Sequence, residues 1–226
     1  PTSGTWSGLA FGDNRWVAIS SGGATASTAM YSINDGEGWN VTTMPSISTW
    51  SNVVYGNGKF VAIASGTNKS AYSTNYGKTW IAGSGLPNAT WTGLAYGKGI
   101  FVAVGDGFAG AYSTNGTSWT SVSLPNTTTW SSVAFGNNLF VAVSDTAAPS
   151  AYSQDGITWY QGDIPLTATQ IAYGQGVFVA SSNSTGTAYT SEDGITWTLR
   201  SIDSTSVNAL AFGWDPTTKA GIFVTV

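Results

Sequence analysis

The feature that most constrains the fold of this chain is a segment of seven residues that recurs along it. The first copy, Trp6–Gly12, reads Trp-Ser-Gly-Leu-Ala-Phe-Gly, and related copies begin near residues 50, 91, 130, 168 and 207. Successive copies begin 44, 41, 39, 38 and 39 residues apart. Self-similarity at such a fixed period is typical of repeat architectures. The 226 residues are therefore predicted to fold as five related units of about 40 residues followed by part of a sixth.

The first five units each contain four short segments with the composition of β-strands. A Gly/Asn turn follows the opening segment and leads into a β-branched apolar run such as Phe60–Ile63, and a third segment such as Ala71–Ser73 comes next. The fourth segment begins with a tryptophan in five of the units. Turn signals such as Asn57-Gly58 separate the segments, and no window shows a sustained helical spacing of apolar residues. We therefore predict an all-β protein.

Four-stranded units of this length are typical of the blades of a β-propeller. Five units contain all four strands and the sixth, which begins near residue 207, contains two, so we expect five complete repeats and a half repeat. Residues 1–226 are predicted to form one β-propeller domain that belongs to a six- or seven-bladed ring. The alternative is a five-bladed ring with an extra hairpin docked on it.

The turn between the third and fourth strands carries the most specific motif. It reads Ser-Thr-Asn-Tyr-Gly-Lys-Thr-Trp over 73–80 and Ser-Gln-Asp-Gly-Ile-Thr-Trp over 153–159. These segments resemble the Asp-box (BNR) repeats of sialidase-like propellers, whose pattern is Ser-x-Asp-x-Gly-x-Thr-Trp, although three copies are one residue shorter. We expect an Asp or Asn side chain to accept hydrogen bonds from its own turn and the tryptophan to pack between blades. The predicted turn acceptors are Asp35, Asn75, Asn115, Asp155 and Asp193, and the predicted packing residues are Trp39, Trp80, Trp119, Trp159 and Trp197.

The whole repeat pattern is similar to that of phage tail-tip and tail-fibre proteins and of secreted bacterial propellers of the BNR group. The resemblance implies an extracellular or virion-surface (tail) location and attachment to a host-surface polysaccharide or other glycan. It also implies other structural subunits of a larger assembly as partners. A structural or protein-docking propeller is the alternative function, and a glycoside hydrolase-like propeller is the third.

Composition argues against several other functions. The chain has no His and no Cys, which excludes Cys/His metal sites, imidazole bases and Ser-His-Asp triads. Sialidases are expected to hold their substrate with three arginines, whereas Arg15 and Arg200 are the only two in this sequence. We therefore predict that the chain is not an enzyme and has no catalytic residue, metal or cofactor. A net charge of −4 argues against nucleic acid, and the lack of an apolar run long enough to cross a bilayer argues against membrane insertion.

Recognition is predicted where the repeats differ most, in the connection between the second and third strands. These connections are residues 20–29, 64–70, 105–110, 144–150 and 181–187. An aromatic face can pack against the C–H groups of a sugar while carboxylates accept hydrogen bonds from its hydroxyls. The candidate ligand-binding residues are Phe108, Asp106, Asp145, Tyr76 and Tyr160.

Overall fold

A computed structural model describes residues 5–22, 27–146, 148–182, 186–202, 207, 209–214 and 221–225. These residues form β-strands joined by turns and bends, without a helix, which confirms the predicted all-β class. The chain divides into two compact units. The first contains Pro1–Ala103 and Gly110–Val122, and the second contains Val104–Ala109 and Ser123–Val226.

The strands follow the repeats in order, and we call the strands of one repeat a blade. Blade 1 contains β1 (Trp6–Gly12), β2 (Arg15–Ser20), β3 (Thr28–Ser32) and β4 (Asn40–Thr43); blade 2 contains β5 (Trp50–Gly56), β6 (Lys59–Ala64), β7 (Ser70–Ser73) and β8 (Ile81–Ala82). Blade 3 contains β9 (Trp91–Gly97) and the long β10 (Ile100–Ser113), and it shares the long β11 (Thr120–Gly136) with blade 4. Blade 4 continues with β12 (Leu139–Ser144), β13 (Ala148–Ser153) and β14 (Tyr160–Leu166). Blade 5 contains β15 (Gln170–Gly174), β16 (Val177–Ser181), β17 (Thr187–Ser191) and β18 (Thr198–Ser201), and blade 6 contains β19 (Leu210–Trp214) and β20 (Gly221–Thr225).

Within a blade, consecutive strands pair in antiparallel fashion. In blades 1, 2, 3 and 5 and between β11 and β12, the first two strands are joined by a two-residue turn, for example Asn57-Gly58, in which both residues have positive φ, of 48° and 72°. Such turns match the right-handed twist of a hairpin and favour Asn and Gly, which tolerate this conformation. The recurrent Gly/Asn dipeptides of the sequence therefore fix the register of each hairpin.

A serine after the opening residue links neighbouring blades. The Ser7 hydroxyl lies 3.2 Å from the Ile19 carbonyl oxygen in its own blade and 2.6 Å from that of Trp50 in blade 2. In the second unit, Ser131 makes the same contacts with Val143 (3.0 Å) and Ala168 (2.6 Å). The register of the first two strands shifts at this serine in both blades, so a bulge turns the hydroxyl towards the next blade.

Apolar residues fill the space between consecutive blades of each unit. In the first unit, Val17 and Ile19 of blade 1 share a buried cluster with Trp50 and Trp80 of blade 2. In the second unit, Val141 of blade 4 belongs to the corresponding cluster with Trp197 of blade 5. The core of each unit therefore consists of blade–blade interfaces, built from the repeated positions that the sequence pattern marks.

Candidate functional site

The turn between the third and fourth strands is held by its own polar side chains. In blade 2, Asn75 Oδ1 accepts hydrogen bonds from the Ser73 hydroxyl and the Thr79 N–H, both at 3.0 Å, and the Ser73 hydroxyl accepts one from the Gly77 N–H at 2.9 Å. In the shorter turn of blade 4, Asp155 Oδ1 accepts from the N–H groups of Ile157 and Thr158 at 2.9 and 2.7 Å. Equivalent bonds are made by Asn115 and Asp193. These four side chains therefore stabilise the turns.

In blade 1 the accepting side chain is Asn34, and the prediction of Asp35 is wrong. Asn34 Oδ1 accepts from the Ser32 hydroxyl at 3.0 Å and from the Gly38 N–H at 2.8 Å. Asp35 is exposed and has a φ of 54°, the conformation that Tyr76 adopts in blade 2 with a φ of 64°. The turn of blade 1 is as long as that of blade 2 and one residue longer than those of blades 3, 4 and 5. Counted back from the motif tryptophan, its accepting residue therefore lies one position earlier than in the shorter turns.

The turn hydrogen bonds also set the pKa of Asp193. Burial raises the pKa of this carboxyl group, but the N–H groups of Ile195 and Thr196 and the hydroxyls of Thr196 and Ser191 lower it more, to about 2. The pKa of Asp155 is lowered for the same reason. Both groups are therefore bound as carboxylates by their own turns, which is a structural role.

The tryptophans that follow these turns differ in burial. Four of them retain 5–8% of their exposure: Trp80, Trp119, Trp159 and Trp197. Trp39 in blade 1 is only half-buried, and its indole N–H donates to the Gly36 carbonyl at 2.9 Å. It lines an apolar groove of about 200 Å³ together with Trp6, Leu9, Ala18 and Met30.

The predicted ligand-binding residues lie at two different ends of the blades. We call the end where the second strand connects to the third the loop end, and the end where the third connects to the fourth the turn end. Because strand direction alternates in an antiparallel sheet, these ends are opposite. Phe108, Asp106 and Asp145 belong to the loop end, whereas Tyr76 and Tyr160 belong to the turn end. Within their own blades, these residues therefore occupy opposite ends of the sheet.

At the loop end of the second unit, Phe108 is 52% exposed, and Asp106 and Asp145 are exposed as well. Residues 105–110, predicted to be a variable loop, lie inside β10, where Gly107 has a φ of 64°. Hydroxyl groups accompany Asp145, since the Ser144 hydroxyl lies 2.6 Å from that of Thr128 and 2.8 Å from that of Thr146. This end of the unit therefore carries an exposed aromatic ring on β10, and carboxylate and hydroxyl groups after β12. Parts of three predicted connections, residues 23–26, 147 and 183–185, lie outside the described residues.

At the turn end, the two tyrosines already have aromatic or cationic neighbours. The Arg15 guanidinium carbon lies 5.5 Å from the centre of the Tyr76 ring, and the Tyr160 ring stacks on that of Tyr152 with centres 5.7 Å apart. Burial, and to a lesser degree the charge of Asp13 and the neighbouring Tyr76, raise the pKa of Tyr55. Tyr76 and Tyr160 are still 40% and 53% exposed, so each ring keeps one accessible side.

Sequence reasoning missed a cavity on blade 5. It has a volume of about 530 Å³ and is lined by Val177, Thr190, Ser191, Glu192, Asp193, Thr196, Thr198 and Arg200. By strand register, Thr190 stands where blades 2 and 4 have Tyr72 and Tyr152. Counted from the motif tryptophan, Arg200 stands where blade 4 has Gly162. These two departures from the repeat are the signal that could have located the cavity.

Neither a metal centre nor a membrane-spanning helix is present in the described part of the chain. Its His, Cys, Asp and Glu side chains form no group of three or more that could hold a metal ion. No helix among the same residues is long and apolar enough to cross a membrane.

Comparison with known proteins identifies the fold. No family model and no curated protein matches the sequence. Among solved structures, virginiamycin B lyase from Staphylococcus aureus is similar with a TM-score of 0.78 and 13% identity, over 92% of this chain and 73% of that one. YCF48 bound to D1 peptide has a TM-score of 0.67 and 15% identity, over 91% and 70%. The computationally designed Ika8 protein has a TM-score of 0.70 and 16% identity, over 97% and 67%.

Virginiamycin B lyase and YCF48 are β-propellers, so the predicted propeller fold is confirmed. One of these proteins is a lyase and another is bound to a peptide, which shows that the same fold serves different functions. At this level of identity the likeness shows the fold alone.

Proposed function

We propose that this β-propeller is a non-enzymatic attachment module that binds a host-surface glycan through the loop end of its second unit. The observation that carries the proposal is the Phe108 ring, which is 52% exposed and stands two residues from the exposed Asp106. Repeat packing does not account for this ring, because the matching connections of the other blades have no aromatic residue between their second and third strands. We further propose that the module acts on a virion or cell exterior, as part of a phage tail fibre or tail tip.

The chemistry of the loop end fits a sugar better than it fits an apolar ligand. A half-exposed ring can cover the C–H face of a pyranose, and the Asp106 and Asp145 carboxylates can accept hydrogen bonds from its hydroxyls. The hydroxyl of Thr146, the residue after Asp145, and that of Thr128 both contact the Ser144 hydroxyl, and each can donate and accept. The groups needed for binding are therefore present on a hydrogen-bonded β-sheet scaffold.

Binding without catalysis is favoured by the residues that the chain does not have. With no His and no Cys, a nucleophile would lack the usual imidazole base, and the two arginines could not form a three-arginine clamp. Asp155 and Asp193 are occupied by turn hydrogen bonds. The exposed acids and aromatic ring of the loop end suit recognition more than they suit acid–base chemistry.

The test is binding of the purified chain to immobilised capsular polysaccharides, lipopolysaccharide O-antigens and teichoic acids, with free sugars as competitors. We expect saturable, sugar-competed binding to at least one of these preparations. Phe108→Ala should weaken it by about tenfold, the loss expected when about 1.4 kcal/mol of ring contact is removed. The melting temperature should stay the same because the ring is exposed.

Ile157→Ala is the matched control, since Ile157 is 43% exposed but lies at the turn end of blade 4. It should bind like the wild type. Equal binding by the Phe108 and Ile157 variants would contradict the assignment of the loop end. Absence of any sugar-competed binding by the folded wild-type chain across the panel would contradict the proposed function itself.

A further inference from the structure

We propose that the open side of blade 5 and the edge of β20 together seat an outer-half β-hairpin supplied by polypeptide outside residues 1–226. By an outer-half hairpin we mean the third and fourth strands of a repeat with their Ser-x-Asp-Gly-x-x-Trp turn. This inference concerns the turn end of the second unit and does not depend on the proposed glycan binding.

The way blade 5 covers blade 4 shows what such a seat looks like. The turn of blade 5 lies so close to blade 4 that a Cβ on Gly194 would stand 2.7 Å from Val141 Cγ2 and 2.8 Å from Leu139 Cδ2. The Asn137 side-chain amide donates to the Glu192 carbonyl at 3.2 Å, and the Trp197 indole N–H donates to the Ser150 hydroxyl at 3.2 Å. The outer-half hairpin of blade 5 is thus held by packing on Val141 and by hydrogen bonds with Asn137 and Ser150 of blade 4.

The corresponding surface of blade 5, formed by Val177 and Val179, is partly exposed. Val179 is the register equivalent of Val141, which is completely buried, yet Val179 is only half-buried. Val177, the equivalent of Leu139, lines the cavity of about 530 Å³. The cavity therefore lies where blade 4 receives the turn of its neighbour.

The backbone of blade 6 offers a second, independent contact. The second strands β2, β6, β12 and β16 each pair with a first and a third strand. Among the described residues, β20 pairs with β19 alone. An exposed strand edge presents unpaired N–H and C=O groups that readily accept another strand. The third strand of an incoming hairpin would satisfy this edge while its turn filled the cavity.

One cationic side chain of blade 5, Arg200, favours an acidic turn as the occupant, and it shares the cavity with the acidic Glu192 and Asp193. A Cβ on Gly162 of blade 4 would stand 2.3 Å from the Ser150 hydroxyl oxygen. In blade 5 these two positions are Arg200 and Ala188, so loss of the hydroxyl makes room for a cationic side chain. Arg200 is exposed and its Nε donates to the Thr190 hydroxyl at 3.1 Å.

Blade 2 shows that this position lies next to an incoming turn. Ser84 is the residue after the equivalent Gly83. Its backbone N–H donates to the Thr117 carbonyl at 2.9 Å, and its backbone carbonyl accepts from the Trp119 N–H at 3.0 Å. Both partners belong to the turn of blade 3, whose acceptor is Asn115. A guanidinium at this position favours a carboxylate over an amide in the turn, so an Asp-type hairpin should bind better than an Asn-type one.

The experiment appends a second copy of residues 148–162, which contain Asp155 and Trp159, to Val226 through a flexible Gly/Ser linker of about eight residues. Such a linker raises the effective concentration of the hairpin to the millimolar range, so weak binding is still detected. The readout is amide hydrogen exchange in β20. We expect the exchange of β20 to slow by at least tenfold.

Two changes within the appended copy provide the controls. Trp159→Ala should abolish the protection, and Asp155→Asn should reduce it several-fold. In a chain that also carries Arg200→Ala, the Asp and Asn hairpins should protect β20 equally, which a purely structural role of Arg200 would not produce.

The proposal is overturned if the Trp159→Ala hairpin protects β20 as well as the unchanged one, or if no appended hairpin protects it. It is also overturned if β20 of the unmodified chain becomes protected as protein concentration rises, because the occupant would then be a second copy of the chain.

Discussion

Replacing Gly136 by alanine tests the packing rule that joins the blades. Gly136 ends the opening segment of blade 4, and a Cβ at this position would lie 2.0 Å from Tyr173 Cγ in blade 5. Favourable contact between two carbons occurs at about 3.5–4.0 Å, so the tyrosine ring or the strand would have to move by roughly 1.5–2 Å. Tyr173 is itself packed against Phe178, with ring centres 4.7 Å apart, which hinders that movement.

We expect Gly136→Ala to lower the free energy of unfolding by about 3 kcal/mol, the upper part of the usual range for overpacking. For a chain of this size that corresponds to a fall in melting temperature of roughly 6–12 °C. The measurement is thermal and urea unfolding followed by circular dichroism and tryptophan fluorescence. Because Gly136 is not a positive-φ residue, the loss would come from the steric contact and not from backbone strain.

Gly213 provides the matched control, because it occupies the same repeat position in blade 6 and a Cβ added to it would meet no atom of the described residues within 4 Å. Gly213→Ala should be neutral or slightly stabilising, since alanine reduces the entropy of the unfolded chain. In addition, Gly136→Ala should cost little in a background that already carries Tyr173→Ala, because the clashing ring is gone. Equal effects of the Gly136 and Gly213 substitutions, or full additivity with Tyr173→Ala, would refute the steric explanation.

Two further predictions concern the turns. Asn34→Ala should lower the free energy of unfolding by about 1 kcal/mol through loss of its turn hydrogen bonds, whereas Asp35→Gly should be neutral or stabilising because glycine accepts the φ of 54° without strain. The measurement is urea unfolding of both variants. A larger loss of stability for Asp35→Gly than for Asn34→Ala would instead identify Asp35 as the accepting residue. The folded pKa of Asp193 lies below its ordinary value of 3.8, so its contribution to stability is present above pH 4 and is lost as the pH falls towards about 2. Asp193→Asn should therefore flatten the fall in stability across this window, and an unchanged pH profile would show that the carboxylate contributes nothing there.

Sequence reasoning predicted the blades because their local signals agree with their packing. The Asn57-Gly58 dipeptide specifies a hairpin turn, and the continuous apolar run of β6 is buried on both faces of the sheet. Sequence reasoning failed for Asp35, where two adjacent residues could both accept turn hydrogen bonds. The spacing from Ser32 to Trp39 equals that from Ser73 to Trp80 and would have assigned the role to Asn34.

The candidate site was less predictable because exposure depends on contacts between strands that are distant in the chain. Tyr160 and Phe108 look alike as extra aromatic residues, yet Tyr160 stacks on Tyr152 at the turn end and Phe108 lies at the loop end. Assigning each residue to an end requires only the alternation of strand direction. The stacking partner and the cavity beside Arg200 depend on the three-dimensional packing of the blades.

Exposure of an apolar side chain in this fold indicates a ligand site only where repeat packing does not account for it. Phe11 is 49% exposed, but its repeat equivalents Tyr55 and Tyr173 lie against glycines of a preceding blade. The repeat position of Phe11 is therefore a blade–blade packing position in blades 2 and 5. Phe108 has no aromatic equivalent in the matching connections of the other repeats. The proposed glycan site is therefore sought at the loop end, where the exposed ring of Phe108 lies outside the repeated packing positions.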